Sequence, residues 1–166
     1  MNSESMEDDA GSLRDSRDLV PPMELLALMQ LASEYWTRAD GLRNLGVGEL
    51  FTETGILVLG SLRLTGRPAI DAFFRERDAA QRAIQRVTRH VAGSTIATVA
   101  GPGRAFVRST VMVFSGQGAL PLPSAAPSGI ADFEDLCVHD AASGWRFEER
   151  VGRTVFIGAG APTFAR

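Results

Sequence analysis

After Pro21 and Pro22, apolar side chains recur at three- and four-residue spacing: Leu25, Leu28, Met29, Ala32, Trp36 and Ala39 share one face of a helix predicted over 23–39. At about 100° per residue, Asp40 falls beside Met29 and Trp36 on the same wheel, and Tyr35 marks the other edge of the stripe. A carboxylate is thus predicted where apolar residues are expected. A short helical turn should end at Glu49, Leu50 and Phe51, weakened by Gly46 and Gly48.

The period then changes. Residues 55–59 and 62–64 are mostly apolar and are separated by Gly60-Ser61, a pair suited to a type II′ hairpin turn. Pro68 fits the first turn of a second helix, continued by Ile70, Phe73, Phe74, Arg77 and Ile84. Residues 87–99 and 105–114 read as two long strands paired antiparallel across Gly101-Pro102-Gly103. Residues 116–129 carry Pro121, Pro123 and Pro127 and are predicted to loop. A last hairpin spans 131–139 and 145–157. Helices followed by a run of strands predict an α+β fold: a curved antiparallel sheet with helices packed on its concave face, forming a cone with an apolar pocket. The domain is placed at 19–158, with a disordered leader at 1–18 and a C-terminal tail at 159–166.

Composition narrows the chemistry. The 166 residues suit one domain, and a net charge of −3 disfavours nucleic acid and acidic membrane surfaces as partners. All basic side chains are Arg, so Schiff-base lysine chemistry and a phosphate-binding P-loop Lys are excluded. Cys137 is the single cysteine, and His90 and His139 are far apart without HExxH spacing, so neither a disulfide within the chain nor a metal site is expected. No cofactor is expected either. Gly158 and Gly160 do not open a helix after a strand and give no dinucleotide fingerprint. Residues 1–18 lack an apolar stretch suited to a signal peptide, and no run approaches the roughly 20 apolar residues of a membrane span, which predicts a soluble, cytoplasmic protein.

Several short stretches then share an order. Tyr35-Trp36-Thr37-Arg38-Ala39-Asp40 is followed by Leu50-Phe51-Thr52-Glu53-Thr54-Gly55 and Gly66-Arg67-Pro68-Ala69-Ile70 with Phe73-Phe74. Thr88-Arg89-His90-Val91, Phe133-Glu134-Asp135 and Gly144-Trp145-Arg146-Phe147 come next. Over roughly 25–150 this set resembles the SnoaL-like branch of the nuclear transport factor 2-like superfamily. That architecture is similar to scytalone dehydratase, bile acid 7α-dehydratases, ketosteroid isomerase, polyketide cyclases and the small subunits of ring-hydroxylating dioxygenases, so the fold alone does not give the reaction. The resemblance implies that Asp40, at the end of the first helix, works with His90, on the strand after the later helix. Tyr35 matches a tyrosine of the bile acid enzymes. It also implies a homodimer or homotrimer. The second catalytic histidine of scytalone dehydratase has no counterpart, because the matching strand carries Arg108, Ser109 and Thr110 instead.

The residues themselves support His90 as a general base. A carboxylate beside an imidazole in an apolar cavity restores its basicity and fixes which nitrogen is free. The expectation is a cofactor-independent lyase or isomerase acting on a cyclic apolar small molecule such as a polyketide, steroid or aromatic intermediate. His90, Asp40 and Tyr35 would be catalytic, and Trp36, Phe73, Phe74, Arg108 and Thr110 would contact substrate. Plainer readings stand beside it. Asp40 can cap the following turn, Tyr35 can simply pack, and His90 can be a core histidine. Gly93, as a candidate bulge, leaves the face of His90 open. Two rival functions also remain: a non-catalytic binding or small subunit, and a cyclase or epoxide hydrolase using a second inward carboxylate from Glu134, Asp135 or Glu149.

Overall fold

The apolar repeat after Pro21 becomes helix α1, Pro22–Ala39, with proline at its first position, where a missing amide hydrogen costs nothing. Its buried face is Leu28, Leu31, Ala32, Tyr35, Trp36 and Ala39. Met29 lies outside that face and is exposed, so the stripe is rotated toward Tyr35 relative to the wheel read from sequence. The helix stops because Gly41 takes a left-handed φ of +69°. The Gly41 amide then donates to the Arg38 carbonyl and the Leu42 amide to the Thr37 carbonyl, the paired bonds of a Schellman ending. Asp40 is the last residue before that turn, and leaves the helix instead of following the wheel.

The computed structural model describes residues 18–158 and 161–162. The expected leader, apart from Asp18, and most of the expected tail lie outside the described residues. After α1 come a single 3-10 turn, Gly48–Leu50, and strands β1, Phe51–Leu59, and β2, Leu62–Thr65, then helix α2, Arg67–Ala83. Strands β3, Arg86–Gly101, β4, Arg104–Gln117, β5, Gly129–Asp140, and β6, Gly144–Ile157, complete the order. The strands form one sheet in the order β2-β1-β6-β5-β4-β3.

The sheet is mixed, which corrects the purely antiparallel expectation: β1 runs parallel to β6, and the other neighbours are antiparallel. The reason is topological. Helix α2 carries the chain from β2 across to the far edge, and the four later strands return as a meander whose last member lands beside β1. Both helices pack against the concave face, where Ile70, Leu57, Val107, Val111 and Phe147 belong to one core.

Alternation decides which strand residues look inward. On β4, Ala105, Val107, Ser109 and Val111 are buried, and Phe106, Arg108 and Met112 are exposed on the convex side. The break in β3 falls between Gly93 and Ile96, beyond His90, so the register of His90 with Val113 is regular. On β6 the register shifts against Leu136 and Cys137, which pair with Glu149 and Phe147. One extra residue there turns Phe147 and Arg150 to the same, inner face.

Candidate active site

Asp40 and His90 meet where the end of α1 crosses the start of β3. The Asp40 Oδ1 to His90 Nδ1 distance is 2.6 Å. The His90 backbone amide donates to Asp40 Oδ2 at 2.8 Å, and the Thr88 hydroxyl donates to Oδ1 at 3.0 Å. Arg77, from α2, braces the arrangement by donating to the Ala39 carbonyl at 2.6 Å and to Thr88 Oγ1 at 3.3 Å. The carboxylate is therefore spoken for by β3, and the turn-capping role weighed from sequence is not its geometry.

These contacts set its charge. Burial pushes the Asp40 pKa up, but the bond and charge of the His90 ring, the His90 amide and the Thr88 hydroxyl outweigh it, and the net shift is downward. The side chain is 3% exposed and that of His90 12%. A depressed carboxylate stabilises the fold fully above its unfolded value, about 3.9, and loses that contribution as pH falls through the lower folded value. Below pH 5 the stability gap between wild type and Asp40→Asn should shrink as pH falls past about 4. Urea unfolding at each pH measures it, and a gap that stays constant or widens below about pH 4 would overturn the assignment.

With Nδ1 engaged, Nε2 is the ring nitrogen left for chemistry. The Trp36 ring stacks on His90 at 4.5 Å and 17°. Both line a cavity of about 510 Å³, in the size range of small-molecule sites. Tyr35, Phe73, Phe74 and Phe133 supply apolar wall, and Arg77, Arg86 and Thr88 bring polar groups to it. Among the described residues, no three His, Cys, Asp or Glu side chains come together as a metal-binding group.

Tyr35 sits deep in this wall, its ring edge-on to Trp36, Phe74 and Phe147 at 4.8, 5.9 and 5.9 Å. Burial pushes its pKa up to about 12, so at neutral pH the hydroxyl keeps its proton and can donate. It packs and carries a donor at once.

Two residues expected at the substrate are not there. Arg108 and Thr110 occupy convex-face positions of β4: Arg108 lies 3.0 Å from Glu134 in an exposed ion pair, and the Thr110 hydroxyl donates to Asp132 at 2.8 Å. The resemblance carried the strand but not the face. Arg108→Ala and Thr110→Ala should each leave kcat/KM within about twofold and stability within about 0.5 kcal/mol, as for surface substitutions. A tenfold loss of kcat/KM in either would return that residue to the site.

Arg150 is a site neighbour that sequence reasoning missed. It is completely buried and lies 2.7 Å from Asp135. Its guanidinium carbon lies over the rings of Tyr35, Phe147, Phe133 and Trp36 at 4.3, 4.6, 4.7 and 5.0 Å. Asp135 faces inward, as one rival reading requires, but it is held by Arg150 and does not line the cavity. Glu134 pairs on the convex side with Arg108 and Arg153, and Glu149 is 3.9 Å from Arg63.

Residues 24–151 match the family model described as a SnoaL-like domain. Among solved structures, ActVI-ORFA from Streptomyces coelicolor is similar, with a TM-score of 0.71 at 18% identity over 82% of this chain and 98% of that one. Aln2 from a Streptomyces species gives 0.68 at 21%, over 82% and 94%. A scytalone dehydratase-like protein from Novosphingobium aromaticivorans gives 0.64 at 19%, over 84% and 95%. These likenesses establish a shared α+β cone and not a shared reaction. No curated protein matches the chain.

Proposed function

The chain belongs to the SnoaL-like domain family, and from that premise we propose that it is a cofactor-independent lyase or isomerase that moves protons on a cyclic, largely apolar small molecule. The observation that carries this reading is the 2.6 Å contact between Asp40 and His90, whose ring lines an apolar cavity while Asp40 lies behind it. In the dehydration form, His90 Nε2 takes a proton from the carbon next to a ketone. The C–H electron pair moves into the enolate, whose oxygen is held by the Tyr35 hydroxyl. The enolate then expels a β-hydroxyl, which leaves as water with the proton His90 had taken. Substrate becomes enone plus water, with no oxidant, reductant or outside acid needed.

Each residue has a defined task. Asp40 keeps Nδ1 as the donor nitrogen and stabilises the imidazolium that forms after proton transfer. Trp36, stacked on the ring, holds its plane, while Phe73 and Phe74 shape the space for the substrate's rings. Without a leaving group, the same two proton transfers isomerise a double bond. The two-carboxylate reading has no comparable support, since Asp135 is occupied by Arg150 behind the aromatic wall. Exposed Val91, Phe106 and Met112 on the convex face support the further expectation of a homodimer or homotrimer. Among the described residues, no helix is long and apolar enough to cross a membrane.

The test is proton exchange followed by elimination. A 3-hydroxytetralone, a bicyclic β-hydroxyketone, is incubated with the protein in D2O and EDTA and followed by NMR. Deuterium should enter beside the carbonyl and a naphthol should accumulate. Exchange no faster than with His90→Ala would remove the proposal.

A further inference from the structure

Away from the dyad, the far edge of the Phe133 ring rests on a glycine of β6. Gly152 pairs with Phe133 on β5 and with Leu59 on β1, so the three share one stretch of the inner face. Gly152 does not take a positive φ, and its strand backbone would accept a side chain. The space beside it would not. A Cβ at position 152 would lie 2.6 and 2.8 Å from Cζ and Cε1 of Phe133, and 3.2 Å from Cδ2 of Leu59. Ordinary contact between carbon atoms needs about 3.5–4.0 Å, so the ring would have to retreat by roughly 1 Å.

Its neighbours decide where the ring can go. The Phe133 centroid is 5.0 Å from that of Trp36, edge to face, and the Arg150 guanidinium carbon stands 4.7 Å from it. Both of those side chains are packed core. The open side is the cavity, which Phe133, Gly152, Leu59 and Gly60 line together. We propose that Gly152 determines substrate size: by letting Phe133 lie back against the sheet, it keeps open the end of the cavity away from His90, where the last ring of a fused-ring ketone is received. The sheet order supports this placement. β6 stands three strands from β3, roughly 14 Å at about 4.8 Å per strand, so the dyad and Gly152 face one hollow from opposite sides. Trp36 spans the interval, stacked on His90 and in contact with Phe133. A ketone that presents its C–H to His90 lies along Trp36 and ends at Phe133. Leu59, Phe133 and Ala131 make that end apolar, which suits an unsubstituted aromatic ring.

This inference rests on the cavity being the substrate site, and deepens that reading by naming the end that measures the substrate. It is tested by binding alone. Calorimetric titration of the full chain with 1-tetralone, which has two fused rings, and with dihydroanthracenone, its benzo-fused three-ring homologue, gives the ratio of their affinities. Gly152→Ala should lower the three-ring to two-ring ratio by ~10- to 100-fold, the range a hydrophobic pocket reaches over one misfitting methylene group. Gly152→Val should lower it further. A leucine at position 133 ends short of the place now held by Phe133 Cζ, so Gly152→Ala combined with Phe133→Leu should recover most of the ratio. General loosening of the core would give no such rescue. Thermal unfolding verifies that the variants fold. If Gly152→Ala does not fold, Phe133→Leu alone decides, and it should raise the ratio above that of wild type.

An unchanged ratio in folded Gly152→Ala, a ratio not restored in the double variant, or no binding of either ketone by wild type overturns the role of Gly152. Deuterium exchange into tetralone by wild type, with a ratio that Gly152→Ala leaves alone, would sink this inference and leave the proposed reaction standing. A shifted ratio without exchange would do the reverse.

Discussion

Replacing His90 with Ala is expected to lower kcat/KM on a β-hydroxyketone by about 10² to 10⁴, the usual contribution of a positioned general acid-base. Asp40→Asn should approach the same loss, and the double variant should be little worse than His90→Ala, because the two residues act as one unit. The geometry explains the lack of additivity. With Asn at position 40, Oδ1 no longer bears the charge that stabilises an imidazolium, and the amide has no fixed reason to leave Nε2 as the basic nitrogen. Thr88→Val should fall between, since it removes one bond to Oδ1 and leaves the His90 amide bond to Oδ2. Folding is monitored by circular dichroism. Wild-type turnover in a folded His90→Ala protein would end the mechanism.

Much of this arrangement was legible from the order of residues. The proline start of α1, the Gly60-Ser61 hairpin and the long strand pair β3–β4 follow from local rules, because each is dictated by a few neighbouring side chains. Gly60, for example, has the positive φ of +57° that its turn requires. The inward placement of Asp40 was expected for an incomplete reason. The wheel put it beside Met29, which is exposed; the Schellman turn at Gly41 and the pull of β3 bring it in.

Long-range pairing was less accessible. Nothing local says that β1 will run parallel to β6, since that depends on where a meander of four strands ends. Likewise, Arg108 and Thr110 were assigned to the pocket through a strand-level resemblance. The buried neighbours Val107, Ser109 and Val111 show a plain two-residue alternation that excludes both. Arg150 was harder still. Counting from Trp145 and Phe147 by twos predicts an inward Glu149 and an outward Arg150, and the extra residue in β6 reverses both. The available signal was chemical: an arginine flanked by core strands, with Asp135 as a candidate counter-charge, needs a partner if it is buried.

That buried pair yields the largest expected effect on stability. Arg150→Ala leaves the Asp135 carboxylate in the core without its cation, and Asp135→Ala leaves the guanidinium with four aromatic rings and no anion. Each should cost ~3–5 kcal/mol, which for a domain of this size lowers the Tm on the order of 10 °C. Burial raises the Asp135 pKa to about 6 against the pull of Arg150, so its carboxyl has an escape by taking up a proton when the cation is gone. Arg150→Ala should therefore regain stability on acidification toward pH 5 more than wild type does. The combined Arg150→Met, Asp135→Leu protein removes both charges and refills the space. It should be more stable than either single alanine variant, since an apolar replacement of similar volume is often tolerated where half a pair is not. Turnover then separates packing from charge. Because the guanidinium lies over Trp36, and Trp36 stacks on His90, a stable double variant with reduced kcat and unchanged KM would show that the cation keeps the aromatic wall aligned under the base. If both single variants unfold within ~1 kcal/mol of wild type, Arg150 is not carrying the core, and its contact with Asp135 is incidental.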